Sequence, residues 1–83
     1  MKFKATIYIM PRKEILDPQG KATLSGLHNL GYGQISQVRI GKQIEVHLEA
    51  SDKTSAEATI EETCKKLLAN PIIEQYSFEL EAL

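Results

Sequence analysis

The sequence predicts an α+β fold of the ferredoxin-like kind, a βαββαβ two-layer sandwich with both helices on one face of an antiparallel sheet. Three observations carry this. Period-two alternation opens and closes the chain, a strong helix start stands at Asp17-Pro18, and a second apolar stripe at helical spacing runs from Ala56 to Leu68.

Phe3, Ala5, Ile7 and Ile9 fall on one side of the first segment and Lys4, Thr6, Tyr8 and Met10 on the other, the pattern of a half-buried strand ending at Pro11. Asp17 can accept orphan backbone N–H bonds, and Pro18 suits the first helical position because its missing donor costs nothing there. The helix is expected to run to about Leu30. Leu24 and Leu27 then face the core, Gly20 lets the helix approach the sheet, and Gly31 supplies the left-handed stop.

Ile35 to Ile40 and Gln43 to Ala50 read as the next two strands, and side-chain parity sets the loop between them. A turn of Gly41-Lys42 alone sets Val38 against Glu45 and mixes core with solvent residues. An odd loop, Gly41-Lys42-Gln43, instead pairs Ile40 with Ile44 and Val38 with Val46, and leaves Arg39 facing Glu45.

Thr54 and Glu57 suggest a capping box for the second helix, whose apolar stripe is Ala56, Ile60, Cys64, Leu67 and Leu68. Asn70-Pro71 stops it, since Asn tolerates the left-handed region and Pro cannot continue. Ile72, Tyr76, Phe78 and Leu80 alternate with Gln75, Ser77 and Glu79 in the last strand. The open sheet face then carries Thr6, Tyr8, Met10 and Gln37 among Arg39, Glu45, His47 and Glu49, a mixture compatible with solvent or with a second copy of the sheet.

All 83 residues read as a single domain without repeat or linker. A chain of this size buries only roughly 60–65% of the surface its unfolded form exposes, so a lone monomer is marginal. Cys64 is the one cysteine, which rules out an internal disulfide and a cysteine pair for zinc; self-association is the remaining remedy and favours the second copy. A formal charge of −1 supplies no global field for nucleic acid or anionic membrane. Met1 to Thr6 alternates where a signal peptide needs an apolar block, and no stretch approaches the ~20 apolar residues of a membrane helix, so the expectation is a soluble, cytoplasmic protein.

Candidate chemistry is sparse. Cys64 lies on the core stripe with no histidine at helical spacing and reads as structural. His28 sits near a helix end and His47 on an outer strand face, with no motif joining them. Gly41-Lys42 fails as a phosphate loop, since Ser36 stands where glycine is needed and Gln43 where Ser or Thr is needed. Asp17 is explained as a cap. Glu57, Glu61 and Glu62 with Lys65 and Lys66 form a solvated helix face. Arg12 and Lys13 make a small basic patch.

Four pieces, Asp17-Pro18-Gln19-Gly20, Leu30-Gly31-Tyr32, Val38-Arg39-Ile40-Gly41-Lys42 and Leu68-Ala69-Asn70-Pro71-Ile72-Ile73, stand in an order and spacing that resembles the PurS family. PurS is the small third subunit of bacterial and archaeal phosphoribosylformylglycinamidine (FGAM) synthase, and the likeness spans the first strand to Tyr76. The chain departs from the family pattern at Met10-Pro11-Arg12, which ends the first strand early.

The resemblance implies a non-catalytic role in purine biosynthesis. A PurL-type synthetase subunit would bind ATP, Mg and formylglycinamide ribonucleotide and perform the ligation, and a PurQ-type glutaminase would release ammonia. This chain would hold no cofactor of its own. As a homodimer or dimer of dimers it would bridge the two and support an ammonia path, because free ammonia in neutral water is mostly protonated and not nucleophilic. Gly20, Gly31, Gly41 and Asn70-Pro71 have backbone reasons to exist, so partner contacts are expected at Gln19, Arg39 and Lys42, then at Arg12 and Lys13.

Two other readings share the element order. An RNA-binding module needs stacking aromatics and a basic face, and the outer face here offers chiefly Tyr8. A small-molecule regulatory domain of the amino-acid-binding kind pairs through its sheets and is the stronger rival.

Overall fold

A computed structural model describes residues 1–83. The elements are β1 (Lys2–Pro11), α1 (Pro18–Asn29), β2 (Lys42–Glu49), α2 (Lys53–Thr63) continued by a π-helical turn (Cys64–Leu68), and β3 (Glu74–Ala82). The α+β class holds, with an antiparallel sheet of three strands in the order β2-β1-β3.

The expected strand over 35–40 is not part of the sheet, and there is no hairpin at Gly41-Lys42-Gln43. Ile44 and Val46 lie opposite Ile7 and Ala5 of β1 instead of Ile40 and Val38. Gly41 has no positive φ, so it makes no primed turn. A Cβ there would fall on the carbonyl oxygen of Ile9 and the sulfur of Met10, so glycine is required for close passage over the end of β1.

β1 buries Phe3, Ala5, Ile7 and Ile9. Across the sheet, Ile7 has Ile44 on one side and Phe78 on the other, and Ala5 has Val46 and Leu80. From α2, Ala56, Ile60 and Cys64 come down on this row, which confirms the first part of the apolar stripe. Leu67 departs from expectation at 83% exposure. The π-helical turn widens the spacing after Cys64, so that Ala69, whose N–H bonds the Cys64 carbonyl, is buried instead.

The caps are local. Asp17 caps α1 as expected, and at the other end Gly31 N–H bonds to the His28 carbonyl and Tyr32 N–H to the Leu27 carbonyl, a Schellman ending with Gly31 at φ +99°. α2 starts earlier than expected. Its cap is Asp52, whose carboxylate accepts from Ser55 N–H at 2.8 Å, in place of the Thr54/Glu57 box. Asn70 makes a turn, its carbonyl accepting from Ile73 and Glu74 N–H, and so aims the chain into β3.

α1 buries only Gly20, and Leu24 and Leu27 are half-buried where full burial was expected. The molecule is long and thin, 52 × 26 × 14 Å, with a radius of gyration of 16.5 Å. A compact chain of this length has a radius of about 12 Å.

Candidate docking site

The end of β1, the loop after it, the first two turns of α1 and residues 36–39 enclose an open cleft of about 450 Å³. Its walls are pinned by polar contacts to the backbone. Arg39 donates from its guanidinium to the Pro11 carbonyl, tying the 36–39 segment to the end of β1. Asp17 Oδ1 accepts from Gly20 N–H at 3.0 Å and Oδ2 from Ile40 N–H at 2.9 Å. The Ile40 bond is the main cause, with the Gly20 bond second, that holds the Asp17 carboxyl below the usual range. Gly20 sits so close to the Val38 carbonyl that a Cβ has no room, which seats α1 against this segment.

Of the residues expected to contact partners, Lys13 and Arg39 meet around this cleft although 26 positions separate them (39 − 13). Lys21 joins them from α1. Sequence reasoning passed over Lys21 because an isolated helix lysine reads as solvated; its place one turn after Asp17 is the signal that was available. Gln19 and Lys42 are exposed and lie outside the cleft.

Arg12 does not form a free basic patch with Lys13. Its guanidinium donates to the Pro71 carbonyl from Nε at 3.1 Å and from Nη2 at 2.7 Å, while its own N–H bonds the Ile73 carbonyl at 2.9 Å. Pro71 therefore accepts at a turn that clamps the start of β3 to the end of β1.

The remaining titratable groups are placed by packing. Burial, and then the charge of Glu61, pushes the Cys64 thiol up, away from the reactive thiolate. Tyr76 donates its hydroxyl to Glu61 Oε1 at 2.6 Å, and that bond pushes the phenol up to about 12. His28 Nε2 lies 2.7 Å from the Ile35 carbonyl and holds the chain leaving α1; His47 pairs with Glu45 on the open sheet face at 3.0 Å. No helix is long and apolar enough to cross a membrane.

A three-stranded antiparallel sheet with two helices, carrying a backbone-pinned surface cleft and a buried lone thiol, defines the class: a small α+β domain. Comparison supplies the family. The PurS family model, described as phosphoribosylformylglycinamidine (FGAM) synthase, matches residues 4–82, and the chain belongs to that family. It is similar to the phosphoribosylformylglycinamidine synthase subunit PurS of Synechocystis sp., at 49% identity over 98% of this chain and 81% of that protein. The subunit of the same name from Bacillus subtilis is 40% identical over 95% of this chain and 93% of its own length. Among solved structures, B. subtilis PurS superposes with a TM-score of 0.87 at 40% identity, covering 96% of this chain and 99% of that one. A chain of the PurLQS structure from Thermotoga maritima superposes at 0.88 with 28% identity, covering 98% and 99%.

Proposed function

We propose that this chain is the PurS subunit of an FGAM synthase, an assembly component that bridges a PurL-type synthetase and a PurQ-type glutaminase in purine biosynthesis. The observation that carries this is the full-length match to PurS proteins together with the likeness to a chain of a PurLQS assembly. The chemistry of this chain fits a supporting role. Asp17, Arg39 and Arg12 spend their charges on its own backbone, and Cys64 is buried. ATP and Mg belong to the synthetase on this reading, and the protein works in the cytoplasm.

Self-association completes the structure. A compact 9.3 kDa monomer exposes about 5,000 Å², whereas this chain exposes 5880 Å². The excess of roughly 900 Å² matches what one partner buries in an ordinary interface, about 800 Å². The apolar surplus lies just after α1, where Leu30 is 74% and Tyr32 49% exposed, around the turn between α2 and β3, where Leu67 and Ile72 are exposed, and on the flanking strands, where Ile44, Val46, Phe78 and Leu80 are only half-covered. The open sheet face offers less to a copy of itself, since Glu45, Glu49, Glu79 and Glu81 outnumber Lys2 and Lys4 there.

The test is reconstitution. Synthetase and glutaminase are mixed with and without this chain, and amidination driven by glutamine is compared with that driven by ammonia. A bridging subunit is required for the first far more than for the second. Equal dependence, or none, removes the reading.

A further inference from the structure

The cleft between β1, α1 and residues 36–39 has an unbalanced charge. Lys13, Lys21 and Arg39 bring three cations to it, against Glu14 and Asp17. Asp17 keeps its negative charge and acts on Arg39, whose guanidinium also bonds the Pro11 carbonyl, so Lys13 and Lys21 are left facing Glu14 alone. Lys13 and Lys21 are exposed, and their side-chain ammonium groups make no hydrogen bond or ion pair within the chain. Ile15, Leu16, Leu24 and Val38 line the same cleft, the first two as exposed apolar side chains. The backbone walls need no further ordering on binding, because Arg39 and Asp17 already fix them to one another, which leaves the two lysine side chains as the part to be ordered.

Resting on the reading of the chain as a bridging subunit, we propose that this cleft is a docking pocket for a protein segment that presents an Asp or Glu side chain next to an apolar one. The carboxylate sits between Lys13 and Lys21, and the apolar neighbour covers Leu24 and Val38. The helix start does not serve as the anion site, since Asp17 fills it. An acidic peptide segment fits better than a base or a flat ring, because the cleft contains no aromatic side chain to stack on.

The test uses the doubly reversed variant Lys13→Glu/Lys21→Glu. Neither side chain has an internal partner to lose, and the fold is confirmed by circular dichroism and melting. Lys53→Glu, at the opposite end of β1 where α2 begins, supplies a reversed charge outside the cleft. Binding of each variant to immobilised synthetase and to immobilised glutaminase is measured at low and high salt. The double variant is expected to weaken binding to one of them by about tenfold or more at low salt, with the gap narrowing at high salt, and Lys53→Glu to change it little. If wild type binds and supports glutamine-driven turnover but the double variant binds as Lys53→Glu does, the pocket is overturned and the bridging role stands. If wild type itself fails in reconstitution, the bridging role falls first. Stabilisation of isolated wild type, but not of the double variant, by inorganic phosphate or ATP also overturns the proposal in favour of a small-anion site.

Discussion

The carboxylate of Asp17 receives the backbone N–H of Ile40 at 2.9 Å, across 23 residues of sequence, while its other oxygen caps α1. One side chain therefore joins a helix start to the extended run that leads into β2. A neutral carboxyl accepts these bonds less well, which is why the group is held ionised below its ordinary range.

A pH dependence follows from that depression. A carboxyl whose folded pKa lies below its unfolded value, near 3.9, contributes stability that is present above the unfolded value and lost as pH falls through the folded one. Asp17→Asn keeps a capping oxygen and removes the charge. It is expected to lower the urea midpoint at neutral pH, and to lose less than wild type on going to about pH 3. Parallel midpoints for the two proteins at both pH values would remove Asp17 from the account.

Gly41 and Gly26 should respond in opposite ways. A Cβ at Gly41 meets the Ile9 carbonyl and Met10, so Gly41→Ala should cost about 1–3 kcal/mol by overpacking. Gly26 lies within α1 with nothing near its missing Cβ, and Gly26→Ala should stabilise by about 0.4–1 kcal/mol. Gly41→Asn separates close passage from a turn: a turn glycine accepts Asn, and this one should not. Urea unfolding of the three variants provides the comparison.

That same glycine marks where the sequence could be read two ways. Val38, Ile40, Ile44, Val46 and Leu48 are all even-numbered, and this parity satisfies a hairpin with a three-residue loop or one unreversed run equally well. The choice lies with the pairing partner, β1, which is more than 30 residues away and invisible to local periodicity. A lone glycine without Asn, Asp or a second glycine is also weak support for a primed turn. By contrast Asp17-Pro18, Gly31 and the β1 alternation were legible, because capping and strand parity are decided within a few residues. The cleft was half-legible. Lys13 carries a charge that folding does not use, whereas the bond of Arg39 to the Pro11 carbonyl and the meeting of both with Lys21 are products of the fold.

Tyr76 gives an alkaline signature. The bond to Glu61 raises the phenol to about 12, so of the three tyrosines one should ionise late in an absorbance titration. A folded pKa raised above the unfolded value, about 10, contributes stability that is complete below the unfolded value and lost as pH rises through the folded one. Tyr76→Phe should abolish the late step and flatten the fall in stability above about pH 10. A late step that persists in the variant would assign it elsewhere.

Leu30 tests self-association without confounding helix stability. It is 74% exposed at the end of α1, where a cation is favoured by the helix dipole, so Leu30→Lys should not weaken the helix itself. In an assembly that covers the α1 stripe, the same change sets a charge into an apolar contact and strips away its water. Sedimentation is expected to show wild type at twice the 9.3 kDa chain mass or a multiple of that, and the variant shifted toward the single chain with its helical signal retained. A solitary wild-type chain would leave the excess surface of the fold to its larger partners alone. An unchanged assembly in the variant would move the contact away from α1, to the half-covered side chains of β2 and β3.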